Sequence, residues 1–156
     1  MRKNNDNRNK KPPHYIWGHH AVVSALGNPK RIIKKLYLTE KNEAHLNDLN
    51  ILSQHQVKIL HLGEIDRLFH QQMVTHQGFV LETLPLQKKP LDEITNSKLL
   101  VALDQVTDPQ NIGAIMRSAK VFGASSIITT KKHSPGETGS LAKAASGALE
   151  YINIVN

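Results

Sequence analysis

The chain has 156 residues, a formal net charge of +7 and no cysteine. The lack of cysteine excludes disulfides, thiolate metal sites and cysteine nucleophiles. No run approaches the roughly 18 apolar residues that a membrane helix needs, and the N-terminus has no apolar region of the kind found in secretory signals. The length fits one ordinary domain or two small ones, and these features together predict a cytoplasmic protein.

The first dozen residues are strongly basic. Against Asp6 alone they carry five cations, namely Arg2, Lys3, Arg8, Lys10 and Lys11. Pro12-Pro13 ends the segment, so we predict a disordered tail over residues 1–13. Such a tail is either a solvated segment that aids solubility or an arm that neutralises phosphates and gives salt-dependent affinity for nucleic acid. A second basic cluster lies at residues 30–35. The excess of positive charge indicates an acidic partner.

Residues 14–84 form the first predicted unit, in which strands and helices alternate. Its predicted elements, in chain order, are a helix at 21–26, a strand at 32–39, a helix at 43–54, a strand at 57–62, a helix at 64–69 and a strand at 78–84. The first helix is stopped by Gly27-Asn28-Pro29. Strands separated by helices favour an α/β layer fold with mostly parallel pairing.

A linker is predicted over residues 85–97, because it contains two prolines, the pair Lys88-Lys89 and only a short amphipathic turn. The second predicted unit, 98–156, opens on an apolar run that is typical of a central parallel strand. Its predicted elements are strands at 98–103, 125–131 and 151–155 and helices at 111–122 and 138–149.

The first helix of the second unit has a well-defined start and an apolar face. Asp108 is a good N-cap, and Pro109 at the first helical position sacrifices no hydrogen bond. Gly113 allows a backbone or a ligand to approach closely. Four residues at helical spacing predict the core-facing stripe: Ile112, Ile115, Ala119 and Phe122.

Arg117 lies outside that stripe, in a helix that begins near the carboxyl end of a predicted central strand, where ligands of open α/β sheets usually bind. On position alone, a packed stem with a solvated head is the simpler interpretation. The surrounding pattern is more specific, because Asn111, Gly113, Arg117 and Ala119 follow a polar turn rich in Asp and Thr. Further short motifs are Gly18-His19-His20-Ala21-Val22, Gln77-Gly78-Phe79 and Lys143 followed by Ser146-Gly147-Ala148.

Together these motifs resemble the SpoU (TrmH) family of RNA 2'-O-ribose methyltransferases. The resemblance implies an α/β fold in which an L30e-like RNA substrate-binding domain precedes the N-terminal half of a SPOUT (α/β knot) methyltransferase domain. It also implies S-adenosylmethionine as cofactor, RNA as partner, a homodimer, and active-site roles for Asn111 and Arg117. The basic tail residues Arg2, Lys3, Arg8, Lys10 and Lys11 then become candidates for RNA binding.

The layout most resembles the bacterial branch that modifies guanosine in 23S ribosomal RNA, with a transfer-RNA enzyme as the near alternative. The resemblance covers about half of the family's catalytic domain, and the motifs that build the cofactor pocket are expected beyond Asn156. Cofactor-binding residues are therefore unknown, and no metal site is expected. A truncated RNA-binding remnant without catalysis is the alternative from another functional class, and a ribosome-associated L30e-like structural protein is a third.

The chemistry of Arg117 limits its role. A guanidinium stays charged in proteins, so it is a poor general base. We expect it to hold a phosphate or to stabilise the developing alkoxide of the ribose hydroxyl. Six residues separate it from Asn111, which places the two about 240° apart on an ideal helix. A site that needs both must wrap the start of the helix or lie at a subunit interface.

Overall fold

The computed structural model describes residues 12–47, 52–70, 72–94, 99–130 and 136–155. The five candidate RNA-binding residues of the basic tail lie outside these ranges. Among the described residues, no helix is long and apolar enough to cross a membrane.

The first sheet has four strands in the order β1-β4-β2-β3. They are β1 (His14–Trp17), β2 (Ile33–Leu38), β3 (Val57–Ile59) and β4 (Phe79–Thr83). Strand β4 runs antiparallel to both β1 and β2, and only β2 and β3 are parallel. The prediction of mostly parallel pairing is therefore wrong for this sheet. Strand alternation fixes which face is buried but not the direction of the neighbouring strand, which depends on the connection.

Three helices flank this sheet: α1 (His19–Leu26), α2 (Glu40–Asn47) and α3 (Leu62–Asp66). Of the helix predicted over 43–54, the described residues contain α2, which begins at Glu40, and a 3-10 turn at Leu52–Gln54. The helix predicted over 64–69 is split, because α3 is followed by a 3-10 turn at Arg67–Phe69.

The second sheet consists of β5 (Leu100–Leu103), β6 (Ser126–Thr129) and β7 (Asn153–Val155), in that spatial order. Both pairs are parallel, as predicted for this half of the chain. The crossovers contain α4 (Pro109–Val121) and α5 (Gly139–Ala145). The second helix is shorter than the predicted 138–149, because Ser146 and Gly147 both adopt left-handed backbone conformations after Ala145.

Helix α4 starts as predicted but buries a different stripe. Asp108 accepts a hydrogen bond from the Gln110 amide at 3.0 Å, and Pro109 occupies the first turn. Phe122, expected in the core, is 77% exposed. It caps the helix beyond the last turn, so its side chain leaves the buried face. The residues that are buried on α4 are Ile112, Gly113, Met116 and Ala119.

One continuous cluster of buried apolar side chains joins the two sheets, and it includes Ile16, Leu36, Met116 and Leu141. Helix α5 connects the two parts of this cluster, because it packs on α4 on one side and on β1 and α1 on the other. Helices α4 and α5 approach each other closely at Gly113, where an added Cβ would lie 2.5 Å from the Ala144 Cβ and 2.6 Å from the Ala144 backbone carbon. The predicted close approach to Gly113 is thus made by the backbone of α5.

We expect Gly113→Ala to destabilise the chain by about 1–3 kcal/mol, because the added methyl group meets backbone atoms that cannot turn aside. Urea unfolding followed by circular dichroism measures the effect. The matched control is Gly63→Ala in α3, where a Cβ meets nothing within 4 Å. That change should be neutral or stabilise by about 0.5–1 kcal/mol. Equal effects at the two glycines would show that the α4–α5 approach is not tight.

Candidate functional site

The structure places Asn111 and Arg117 on the surface of α4. Asn111 is exposed in the first turn, and Arg117 is exposed further along the helix. The guanidinium of Arg117 donates from Nη1 to the carbonyl of Ala144 in the last turn of α5. An arginine has five N–H donors, so this bond orients the head and leaves donors that can bind a ligand. The two residues lie on different faces of one helix and do not form a single pocket.

The segment around Ala144, the hydrogen-bond partner of Arg117, contacts both parts of the chain. Next to Ala144, the Lys143 ammonium donates to the carbonyl of Thr75, in the loop before β4. A Cβ at Gly147 would lie 2.1 Å from the Ser24 hydroxyl oxygen of α1. The tightest contacts of the small residues in this segment are with helices α1 and α4. The motif of Lys143 and Ser146-Gly147-Ala148 therefore has a packing role that its sequence pattern does not specify.

A buried ionic cluster lies at the same junction, and it is centred on Arg31. The Arg31 side chain is fully buried, and it bridges the carboxylates of Glu137 and Glu150, whose side chains are 8% and 3% exposed. Its Nη2 donates to Glu150 Oε1 at 2.5 Å and its Nε to Glu150 Oε2 at 3.2 Å. Its Nη1 donates to Glu137 Oε1 and to the carbonyl of Leu84.

Other groups complete the hydrogen bonding of the two carboxylates. Asn28 Nδ2 donates to Glu150 at 2.7 Å, and the Leu86 amide donates to Glu137 at 2.9 Å. His14 Nε2 lies 3.1 Å from Glu137 Oε1. The cluster thus joins β1, the entrance to β2 and the segment after β4 to the second half of the chain. We will call Arg31, Glu137 and Glu150 the junction triad.

The triad contradicts the expectation for the basic cluster at residues 30–35 and gives Glu150 a structural role. The cluster at residues 30–35 was expected to attract an acidic partner, but its Arg31 is used by the chain's own carboxylates. Glu150, for which the sequence predicts no role, is the bidentate partner of Arg31. A sequence signal exists in hindsight, since Arg31 precedes two isoleucines and Glu150 follows a run of small and apolar residues.

The triad shifts the pKa values of Arg31 and Glu137. Burial by itself raises the pKa of Glu137, but hydrogen bonds from His14, Arg31 and the Leu86 amide, with the charge of Arg31, outweigh it and lower the pKa from 4.5. Burial lowers the pKa of Arg31, but the hydrogen bonds and charges of Glu150 and Glu137 outweigh it and raise the pKa. The ionised forms of Arg31 and Glu137 are therefore favoured in the folded chain.

Two family models match the chain over most of its length. The model of the SpoU rRNA methylase family matches residues 98–156, and the model of RNA 2'-O ribose methyltransferase substrate binding matches residues 15–89. The chain belongs to the SpoU family. The predicted fold class is confirmed with it, since an α/β substrate-binding part precedes the start of a SpoU methyltransferase fold.

Relatives in the SpoU family include ribosomal RNA methyltransferases. The chain is 34% identical over 145 residues to the 23S rRNA (guanosine-2'-O-)-methyltransferase RlmB of Nitrosomonas europaea, in a match that covers 88% of this chain and 56% of the relative. It is 35% identical over 151 residues to RlmB of Pseudomonas syringae pv. tomato, with 90% and 59% covered. The chain therefore spans somewhat more than half the length of the curated relatives it matches.

A solved structure has the same fold. The AdoMet-bound rRNA methyltransferase from Sinorhizobium meliloti superposes with a TM-score of 0.64 at 25% identity, covering 92% of this chain and 54% of that one. S-adenosylmethionine is thus the cofactor of the SpoU family, as the resemblance implied.

Ligands of parallel sheets bind at the carboxyl ends of the strands, which here are Leu103, Thr129 and Val155. The Thr129 hydroxyl donates to the carbonyl of Val155 at 3.3 Å, so it is engaged within the sheet. The space over Gly113, where a ligand could have approached, is filled by α5. The strand ends therefore identify no cofactor-binding side chain among the described residues.

The described histidines do not form a metal site. His19, His20 and His45 have rings in contact, with centroids 5.0 Å apart for the first pair and 5.5 Å for His19 and His45. In the part of the chain that the structure describes, no group of three or more histidines and carboxylates is arranged to hold a metal ion. Burial, with the neighbouring charges of His20 and His45, lowers the pKa of His19 from 6.5.

We expect Arg31→Ala to destabilise the chain by about 3–5 kcal/mol, because it leaves two buried carboxylates without their cation. Thermal or urea unfolding measures this loss. The matched control is Lys34→Ala, which removes one positive charge from an exposed position on the neighbouring strand. A loss at Arg31 no larger than that at Lys34 would contradict the structural role of the triad.

The lowered pKa of Glu137 predicts that the free energy of unfolding depends on pH. Its folded pKa lies below its unfolded value of 4.5, so its stabilising contribution is complete above that value and is lost as the pH falls through the folded pKa. The free energy of unfolding should therefore fall on acidification below about pH 5. In Glu137→Gln this fall should be shallower, whereas the exposed Asp92→Asn should retain the wild-type slope. An unchanged slope in Glu137→Gln would show that the triad does not lower this pKa.

Proposed function

We propose that this chain belongs to an S-adenosylmethionine-dependent RNA 2'-O-ribose methyltransferase whose substrate is a guanosine of 23S ribosomal RNA. The observation that carries the proposal is the match of the SpoU methylase model to residues 98–156, where Asn111 and Arg117 stand on the helix that follows β5. The two RlmB relatives at 34% and 35% identity favour ribosomal RNA over transfer RNA.

The proposal divides the chain by role. Residues 14–84 form the L30e-like substrate-binding domain, 85–97 a linker, and 98–156 the start of the methyltransferase domain. The tail over residues 1–13 adds phosphate contacts through its five cations, each of which strengthens the salt dependence of RNA binding. Since 23S RNA is a cytoplasmic substrate in bacteria, the reaction takes place in the cytoplasm.

Arg117 is the residue for which the chemistry is clearest. Its guanidinium is fixed at one edge by the Ala144 carbonyl, which lowers the entropy lost when the other donors bind an oxyanion. A fixed cation beside the ribose can hold the adjacent phosphate or stabilise negative charge that develops on the 2'-oxygen. The methyl group itself is supplied by the family's cofactor.

Asn111 faces away from Arg117 around the helix, which supports a homodimer. If both residues act on one ribose, one of them must approach from a second subunit or the RNA must wrap around the start of α4. A dimer satisfies this condition without any change in the helix. Asn111 and Arg117 would then belong to a composite site.

The alternative function is RNA binding without catalysis, which is supported by the match of the substrate-binding model to residues 15–89. Calorimetric titration of the full chain with S-adenosylmethionine, beside a 23S RNA-binding assay, separates the two functions. Saturable cofactor binding supports the enzyme, RNA binding alone supports the binding protein, and the absence of RNA binding contradicts both.

For the enzyme, we expect Arg117→Ala to lower methyl transfer to 23S RNA by about 100- to 1000-fold, because one preorganised donor to a developing charge is removed. Transfer of tritiated methyl groups, with 2'-O-methylguanosine as the identified product, measures the rate. The matched control is Arg67→Ala, which removes an exposed arginine from the substrate-binding part. Full activity in Arg117→Ala would refute the role, and unfolding midpoints of both variants exclude loss of fold as the cause.

A further inference from the structure

A cavity of about 630 Å³ lies where the segment after β4 meets the start of β7. One wall consists of residues 85–90, and the opposite wall is formed by residues 149–154. Three exposed lysines line it, namely Lys30, Lys88 and Lys89. The lining also contains Tyr151, which is 62% exposed. The cavity is thus an open basic pocket with an aromatic side chain at its edge.

Helix α4 continues this basic surface toward Arg117. The Lys120 ammonium lies 3.7 Å from the centre of the Tyr151 ring. Lys120 follows Arg117 by three residues, so the two side chains are neighbours on the same face of the helix. Lys120 therefore lies between Arg117 on α4 and Tyr151 at the edge of the cavity. We will call Lys30, Lys88, Lys89, Lys120 and Tyr151 the junction groove.

The carboxylates of the cavity do not cancel this charge. Glu137 and Glu150 also line it, but both are buried and bonded to Arg31. The third lining carboxylate, Glu93, is exposed. Three exposed lysines therefore stand against one exposed carboxylate, with Lys120 adding a fourth cation at the rim. The groove fits a ligand that carries several negative charges and a flat apolar surface.

We propose that the junction groove binds an unpaired stretch of the RNA substrate, with phosphates on Lys30, Lys88 and Lys89 and one base stacked on Tyr151. This inference rests on the proposed RNA methyltransferase function and names the surface that carries the RNA toward Arg117. An unpaired strand fits better than a duplex, because only a splayed base presents its face to an aromatic ring. The pair Lys88-Lys89, which the sequence placed in a linker, thereby acquires a role.

The charge contribution is tested with the double variant Lys88→Ala/Lys89→Ala of the full chain. The probe is a fluorescein-labelled short RNA without internal pairing, and fluorescence anisotropy is measured over a series of salt concentrations. Each phosphate contact contributes about 0.7 to the slope of log affinity against log salt, so we expect a slope reduced by about 1.4. The matched control, Lys34→Ala/Lys58→Ala, removes the same charge from exposed strand positions outside the groove and should keep most of the slope.

The stacking contribution is tested at Tyr151. Tyr151→Ala should weaken binding of the unpaired RNA by about 5- to 100-fold, which corresponds to the loss of one base–aromatic stack. Tyr151→Phe keeps the ring and should bind as the wild type does. Binding of a duplex of the same sequence should be unaffected by either change. Glu93→Gln removes the exposed carboxylate and should strengthen binding, opposite in sign to the lysine variants.

The outcomes separate this inference from the proposed function. If the wild-type chain binds the RNA and the groove variants bind equally well, the inference is overturned while the proposed function stands. Equal losses in the groove and control lysine pairs would also overturn it, since general charge would then explain binding. If the wild-type chain binds no RNA, the proposed function fails too. Circular dichroism of each variant confirms that the fold is retained.

Discussion

The architecture of this chain depends on the burial of Arg31 between Glu137 and Glu150. Three charges are removed from water at one place, which is favourable only because nearly every donor and acceptor of the cluster is satisfied. The groups that satisfy them come from the first strand, the entrance to the second and the segment after β4. Such a cluster contributes a unique geometry more than net stability, and it fixes how the two sheets of the chain meet.

Helix α5 joins the two parts of the chain through apolar packing, as the ionic cluster joins them through charge. Its alanines and flanking glycines let α4 approach on one side and α1 on the other, so one core is shared by both parts of the chain. The same close approach presents the Ala144 carbonyl to Arg117. The packing of a small-residue helix therefore orients the arginine that the family motif identifies. Structural and functional constraints meet in the same few residues, which explains why this motif combines small residues with charged ones.

Several of the residues proposed to act on RNA lie around this junction. Arg117 and Lys120 lie on α4, Tyr151 follows the triad residue Glu150, and Lys88 and Lys89 lie just beyond the Leu86 amide that bonds Glu137. The triad thus places residues distant in sequence on one surface. RNA that enters the junction groove would pass close to Arg117, whereas Asn111 lies on another face of α4.

The sequence by itself determined the family, the alternation of strands and helices, the parallel second sheet and the start of α4 at Asp108 and Pro109. These follow from local rules, such as capping, proline geometry and apolar periodicity, that act within a few residues. Tertiary structure alone decided the antiparallel position of β4, the exposure of Phe122, the burial of Arg31 and the bond between Arg117 and Ala144. Each of these depends on a partner distant in sequence, and residue spacing carries no information about which distant group will be there.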